Sequence, residues 1–104
     1  VVKHSLGELG VALAAAVHAL AATPNARYAS QAYGALLSDD VVAGFGGPAV
    51  NYAAGHLAVP TGPGLGVELD RDRVERYAAL YRAEGAGFGF HDEDRAHPTA
   101  LPKF

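Results

Sequence analysis

The chain has 104 residues, half of them hydrophobic, a net charge of −3 and no cysteine. That length allows at most one small domain, and an acidic balance without any basic cluster argues against a nucleic-acid partner. The lack of cysteine excludes a disulfide framework and fits a cytoplasmic setting, while no run reaches the roughly 18 apolar residues that span a bilayer, so no membrane role is expected.

The elements follow in chain order. Val1–Lys3 is a short β-branched run leading to His4. It is strand-like from its first residue, so the chain is expected to be one part of a longer polypeptide. Gly7 and Gly10 bracket the start of a helix that runs to about Ala22, and Thr23-Pro24 stops it, because proline disfavours helix in the residue before it. Arg27–Ser30 reads as a second strand, and Gln31–Leu37 as a helical turn. Ser38–Val50, with "DD" and "GFGGP", is loop-like. His56–Val59 and Val67–Leu69 read as strands joined by a glycine–proline stretch.

Arg71–Glu84 is the clearest helix. Val74, Tyr77, Ala78 and Tyr81 fall at i, i+3, i+4 and i+7, Asp70 is placed to cap it, and Gly85 to end it. Asp72 and Arg76 are spaced to pair across one turn. The tail from Ala86 is glycine, proline and charge. Within it His91, Asp92, Asp94 and His97 could gather round a divalent metal, but their spacing matches no recognisable site, and an acidic run of this kind reads first as a solvated face.

"VPTGPGLGVELD", residues 59–70, invites comparison with a phosphate-binding loop. Such a loop needs free backbone N–H groups at a helix N-terminus. Gly62, Gly64 and Gly66 recur at every second residue, without the last three-residue step of the dinucleotide fingerprint, and Pro60 and Pro63 remove two donors. The stretch therefore reads as a rigid turn.

Leu9–Ala22, "LGVALAAAVHALAA", is apolar around its whole circumference, as a helix covered on all sides is. A strand–helix–strand start also implies a parallel pair, and parallel sheets are covered on both faces and extended by neighbours. The chain thus calls for a larger body around it. His18, on this helix, reads as a hydrogen-bonded core residue.

Together, "VVKHSLGELG", "AAAVHALAATPN" and "VPTGPGLGVELDRDRVERY" resemble the C-terminal part of the enolase superfamily, in its mandelate racemase and glucarate dehydratase-like branch. The resemblance covers nearly the whole chain in order. It implies an α/β fold class: residues 1–37 as strands seven and eight, with the helix between them, of a (β/α) TIM-type barrel, and residues 38–104 as a return segment and terminal helix leading toward an α+β capping domain. Such a segment is incomplete as a stand-alone domain.

The same resemblance implies an activity. Members of the family remove the proton α to a substrate carboxylate, giving an enediolate stabilised by Mg2+ on acidic residues of the third to fifth strands. None of Asp39, Asp40, Glu68 or Asp70 matches those ligands. A histidine ending the seventh strand serves as acid/base, and by the match it is His4. Taken alone, a histidine at a strand end reads as structural or surface; imidazole chemistry and a position at the barrel mouth make it the catalytic candidate.

At the end of the eighth strand, where the family often has a carboxylate, this chain has Ser30 and Gln31, which become the substrate-binding candidates. Leu6 stands where glucarate dehydratases have an asparagine, and both departures speak against glucarate itself. Lys3 and Ser5 flank His4 and read as structural by alternation, and Glu8 as favourable to the dipole of the helix it precedes.

The resulting expectation is part of a magnesium-dependent acid-sugar dehydratase or racemase, a carbon–oxygen lyase, with a small carboxylate as substrate. Its structural partner would be the rest of an enolase-superfamily chain or a complementary chain, assembled as a homo-oligomer. The alternative is an inactive structural or interaction module derived from the same barrel.

Overall fold

The computed structural model describes residues 2–4, 8–32 and 36–84. Among them stand two α-helices, α1 (Gly10–Ala21) and α2 (Arg71–Glu84), with a 3-10 turn at Gly47–Ala49 between them. Helix α1 ends where proline was expected to end it. The Ala22 N–H still reaches the His18 carbonyl, the Thr23 N–H donates to Leu20, and the Thr23 hydroxyl donates to the Ala19 carbonyl at 2.6 Å before Pro24. Helix α2 has the predicted bounds. Asp70 caps it by accepting the Arg73 N–H on Oδ1 at 3.1 Å, while its carbonyl takes the Val74 N–H at 3.0 Å.

The start of α1 is capped from afar. Leu9 occupies the N-cap position and supplies no side-chain bond. Asp40 supplies it instead: Oδ1 and Oδ2 accept the Gly10 N–H at 3.0 and 2.8 Å, and Oδ1 also accepts the Val42 N–H at 3.1 Å. Asp40 is 1 % exposed, so the helix rests its positive end on a buried carboxylate. Glu8, two residues before the helix, pairs with Lys3, its carboxylate accepting a bond from the ammonium at 3.0 Å.

Close approach makes this capping possible. A Cβ on Gly10 would run into the Phe45 carbonyl oxygen and stand 3.0 Å from the Val42 Cβ. One on Gly46, whose φ is +135°, would collide with the Asp40 carboxylate and sit 2.8 Å from the Gly10 Cα. Both positions therefore exclude a side chain.

The expected strands are replaced by isolated contacts. Val42 and Leu69 form one antiparallel bridge, flanked by Ala43 N–H to Glu68 at 3.0 Å and Asp70 N–H to Val41 at 2.9 Å. The segment expected as strand His56–Val59 instead begins in a tight turn. Ala53 and His56 exchange backbone bonds of 2.9 Å around Ala54 (φ 49°) and Gly55 (φ 79°). Val2–His4 and Arg27–Ser30 form no ladder either; their neighbourhood is described below. A short β-branched run becomes a strand only when partners take up its edges, and here 53–56 closes on itself while 68–70 is taken by 41–43.

The glycine–proline stretch is a turn, as read: the Gly66 N–H donates to the Pro63 carbonyl at 3.0 Å. His18 Nε2 donates to the Leu65 carbonyl at 3.1 Å and ties the turn to α1, so His18 is hydrogen-bonded as expected, in a half-buried position. Val1, Ser5 to Gly7, residues 33–35 and 85–104 lie outside the described residues. With them lie much of the expected helical turn 31–37, Leu6, the stop at Gly85 and the metal reading of His91, Asp92, Asp94 and His97.

Leu13, Ala14 and Val42 are the buried apolar side chains among the described residues. Leu9 (42 %), Val11 (37 %), Leu80 (46 %) and Tyr81 (63 %) remain exposed. Fully burying a Leu or Val contributes about 1.5–3 kcal/mol, which falls far short of ordering helices of 12 and 14 residues. The isolated 104-residue chain should therefore show no cooperative thermal melt as a monodisperse monomer. Calorimetry with light scattering checks this, and a sharp monomeric transition would contradict it.

Candidate active site

Three of the residues singled out by sequence lie on two adjoining segments. The Lys3 N–H donates to Ser30 Oγ at 3.1 Å, and the Gln31 N–H donates to the Lys3 carbonyl at 3.1 Å. Residues 3 and 30–31 are therefore side by side, as neighbouring barrel strands would be, and His4 follows directly on the joined peptide. The His4 and Gln31 side chains are exposed, and Ser30 is half-buried. With one lone pair of the Ser30 oxygen given to Lys3, its hydroxyl hydrogen is still able to donate.

Beside these residues runs a groove of about 360 Å³ between α1 and residues 26–32 and 52–59. Lys3, Ser30, Gln31 and His56 are among its polar lining, with Tyr28 and Tyr52; Leu13, Val17 and Leu20 of α1 contribute an aliphatic wall. His4 is not part of the lining. The Tyr52 hydroxyl, also on the groove, donates to the Ala32 carbonyl at 3.4 Å. Burial raises the titration of that phenol, and the Glu8 carboxylate adds to the shift. The Lys3 ammonium is held by Glu8, whose side chain is only 7 % exposed.

A second polar cluster stands at the start of α2, and sequence reasoning missed it. Asp39 Oδ1 accepts Arg73 Nη1 at 2.8 Å; Oδ2 accepts the Tyr77 hydroxyl at 2.6 Å and is also bonded by Arg76. Arg73 reaches further, to the Asp40 carbonyl at 3.1 Å and, through Nε, to Asp70 Oδ2 at 3.0 Å. The expected Asp72–Arg76 pair is thereby corrected, since Arg76 turns to Asp39 and lies over the Tyr77 ring, 4.8 Å from its centroid. Helical spacing could propose only partners on α2; the "DD" at 39–40 was the available signal for a partner elsewhere.

The cluster lowers the Asp39 pKa from 3.8 to about 2. The Tyr77 hydroxyl bond is the main cause, then the Asp40 N–H; desolvation opposes them, and Arg73 and Arg76 add smaller lowering contributions. The carboxylates have other duties than a cation. Asp39 serves Arg73, Arg76 and Tyr77; Asp40 caps α1; Asp70 caps α2; Glu8 pairs with Lys3. No three His, Asp or Glu groups gather among the described residues, so these residues do not fit a magnesium site. Nor, among them, is any helix long and apolar enough to cross a membrane.

The enolase C-terminal domain-like family model matches residues 1–73, and the chain belongs to that family, on its mandelate racemase and glucarate dehydratase-like branch. It is 37 % identical over 71 residues to a probable glucarate dehydratase of Streptomyces coelicolor (strain ATCC BAA-471 / A3(2) / M145), a match covering 68 % of this chain and 16 % of that protein. The chain thus spans about a sixth of the length of the curated relative it matches. No solved structure matches it.

A depressed carboxylate stabilises the fold above its unfolded pKa, and that contribution is lost as pH falls through the folded value. The stability difference between wild type and Asp39→Asn, measured by thermal melts of the full-length protein, should be constant above about pH 4 and shrink toward about pH 2. A difference unchanged across that window would contradict the cluster's role.

Proposed function

We propose that this chain is the C-terminal part of an acid-sugar dehydratase or racemase, a probable glucarate dehydratase being its relative, and that His4 is its acid/base residue. Residues 1–37 would form the seventh and eighth strand positions of a barrel completed by other polypeptide. The Mg2+ that the resemblance implies would take its ligands from that other part. One observation carries the reading: the two segments that the resemblance takes as neighbouring strands are joined at Lys3 and Ser30-Gln31, and the next residue is His4.

The chemistry asked of His4 is a proton transfer. In a dehydration the α C–H and the neighbouring C–O bonds break, a C=C bond forms and water leaves. A neutral imidazole can take the α-proton as base; a protonated one can deliver a proton to the departing hydroxyl as acid. In a racemisation only the first bond breaks, and the proton is returned to the other face. Gln31, an exposed amide next to His4's support, can hydrogen-bond a hydroxyl or a carboxylate of the substrate. Dehydration is preferred, because the relative is named a dehydratase. Ser30-Gln31 in place of a carboxylate leaves the substrate as an acid sugar other than glucarate itself.

His4→Asn in the full-length enzyme should leave the fold intact and lower turnover about 10²–10⁴-fold. Solvent-deuterium exchange of the substrate's α-proton, measured beside turnover, separates the roles. Loss of both makes His4 the base, and exchange that survives without dehydration makes it the acid. Wild-type rates in both assays would overturn the assignment.

A further inference from the structure

The join between residues 3 and 30–31 does more than bring two segments together. Lys3 is held at both of its backbone polar groups. Its N–H belongs to the Val2–Lys3 peptide and is bonded to Ser30 Oγ at 3.1 Å; its carbonyl belongs to the Lys3–His4 peptide and accepts the Gln31 N–H at 3.1 Å. A peptide unit is planar, so a bond to its N–H or carbonyl restrains the tilt of the whole unit. With both units beside the Lys3 Cα restrained, the range of φ and ψ at Lys3 is narrowed, and with it the position of the His4 Cα. The Lys3 side chain is anchored too, its ammonium 3.0 Å from Glu8 Oε1 at the start of α1.

Of these three restraints, the Gln31 bond uses the main chain and survives any substitution except proline. The Glu8 bond reaches the far end of a flexible side chain and constrains the backbone weakly. Among these restraints, the Ser30 hydroxyl is thus the side chain that acts directly on the backbone ahead of His4.

We infer that Ser30 is a positioning residue for His4, setting the direction from which the imidazole enters the site, rather than a group that contacts substrate. The inference rests on the acid/base reading of His4. A serine or threonine oxygen serves this purpose, alanine offers no acceptor, and the cysteine thiol is a poor one. Removing the bond frees φ of Lys3 while Gln31 still holds the following peptide, so the expected result is misalignment of His4 rather than unfolding.

The test uses the full-length enzyme carrying Ser30→Ala, Ser30→Cys or Ser30→Thr, with turnover and α-proton exchange measured on an acid-sugar substrate that the wild type dehydrates. Small misplacements of a reacting group cost up to about 100-fold in rate. Ser30→Ala should therefore lower kcat about 10- to 100-fold with KM unchanged. Ser30→Cys should fall between Ala and wild type, and Ser30→Thr should restore most of the rate. Should the Ala variant fail to fold, the Cys and Thr variants carry the same comparison. A raised KM at unchanged kcat would make Ser30 a substrate contact and overturn the inference. Wild-type kinetics in Ser30→Ala, or equal losses in the Ala and Thr variants, would overturn it as well. His4→Asn tells the two failures apart: wild-type rates there sink the His4 reading itself, whereas a slow His4→Asn beside a fast Ser30→Ala sinks only the role of Ser30.

Discussion

A buried carboxylate is costly unless its charge is met by donors, and in this chain one such carboxylate holds the architecture together. Asp40 is almost wholly enclosed, accepts the first N–H of α1 and that of Val42, and lies against the positive end of the helix. Its neighbours in sequence do the complementary work. Asp39 gathers Arg73, Arg76 and Tyr77 from α2, while Val41 and Ala43 make the backbone bonds to Asp70 and Glu68. Residues 39–43 thus hold the N-termini of both helices, although α1 begins 30 positions before Asp40 and α2 31 after it. Removing the Asp40 side chain would leave two buried N–H groups without their acceptor, each a larger loss than the net value of an ordinary hydrogen bond.

What the sequence made legible was local. Helix α2 could be read to the residue because its apolar spacing, its Asp70 cap and its length all agree. The end of α1 was legible because Thr23-Pro24 is a chemical stop. The glycine–proline stretch read as a turn because prolines remove the donors a phosphate site would use. His18 also met its expected partner class, a backbone carbonyl. The cap of α1 was not legible. Leu9 gives no capping signal, and no periodicity connects position 10 with position 40. The only trace was the absence of a local cap, together with glycines at 46 and 47 that allow close approach. Arg76 was misassigned for the same reason, since i,i+4 logic sees one helix and the better acceptor was on a loop. The strands failed for a different one: β-branched runs record a preference for a pleated, half-buried surface, which only neighbouring strands can provide.

The exposed apolar side chains and the candidate site lead to the same conclusion. Leu9 at the N-cap of α1, Val11 on α1, and Leu80 and Tyr81 on α2 face solvent in a chain that spans about a sixth of its relative's length. In the proposed barrel those faces would be covered by the remaining strands and helices. His4 would face carboxylates and a metal held by the rest of that barrel. The polar groups here serve placement: Ser30 and the Gln31 N–H hold the Lys3 backbone before His4, Glu8 anchors the Lys3 side chain, and Asp40 caps the helix that follows. On the proposed function, the segment's share of the site would be one proton-transfer group on a braced peptide.

The central claim is that Asp40 organises this segment, and amide hydrogen exchange reads it most directly. In the full-length protein the Gly10 and Val42 amides should be protected like interior helix amides, although neither has a helical partner, and Asp40→Ala should release both together while the amides of the central turn of α2 stay protected. Exchange of Gly10 and Val42 in the wild type at the rate of free peptides, or protection that survives Asp40→Ala, would contradict it.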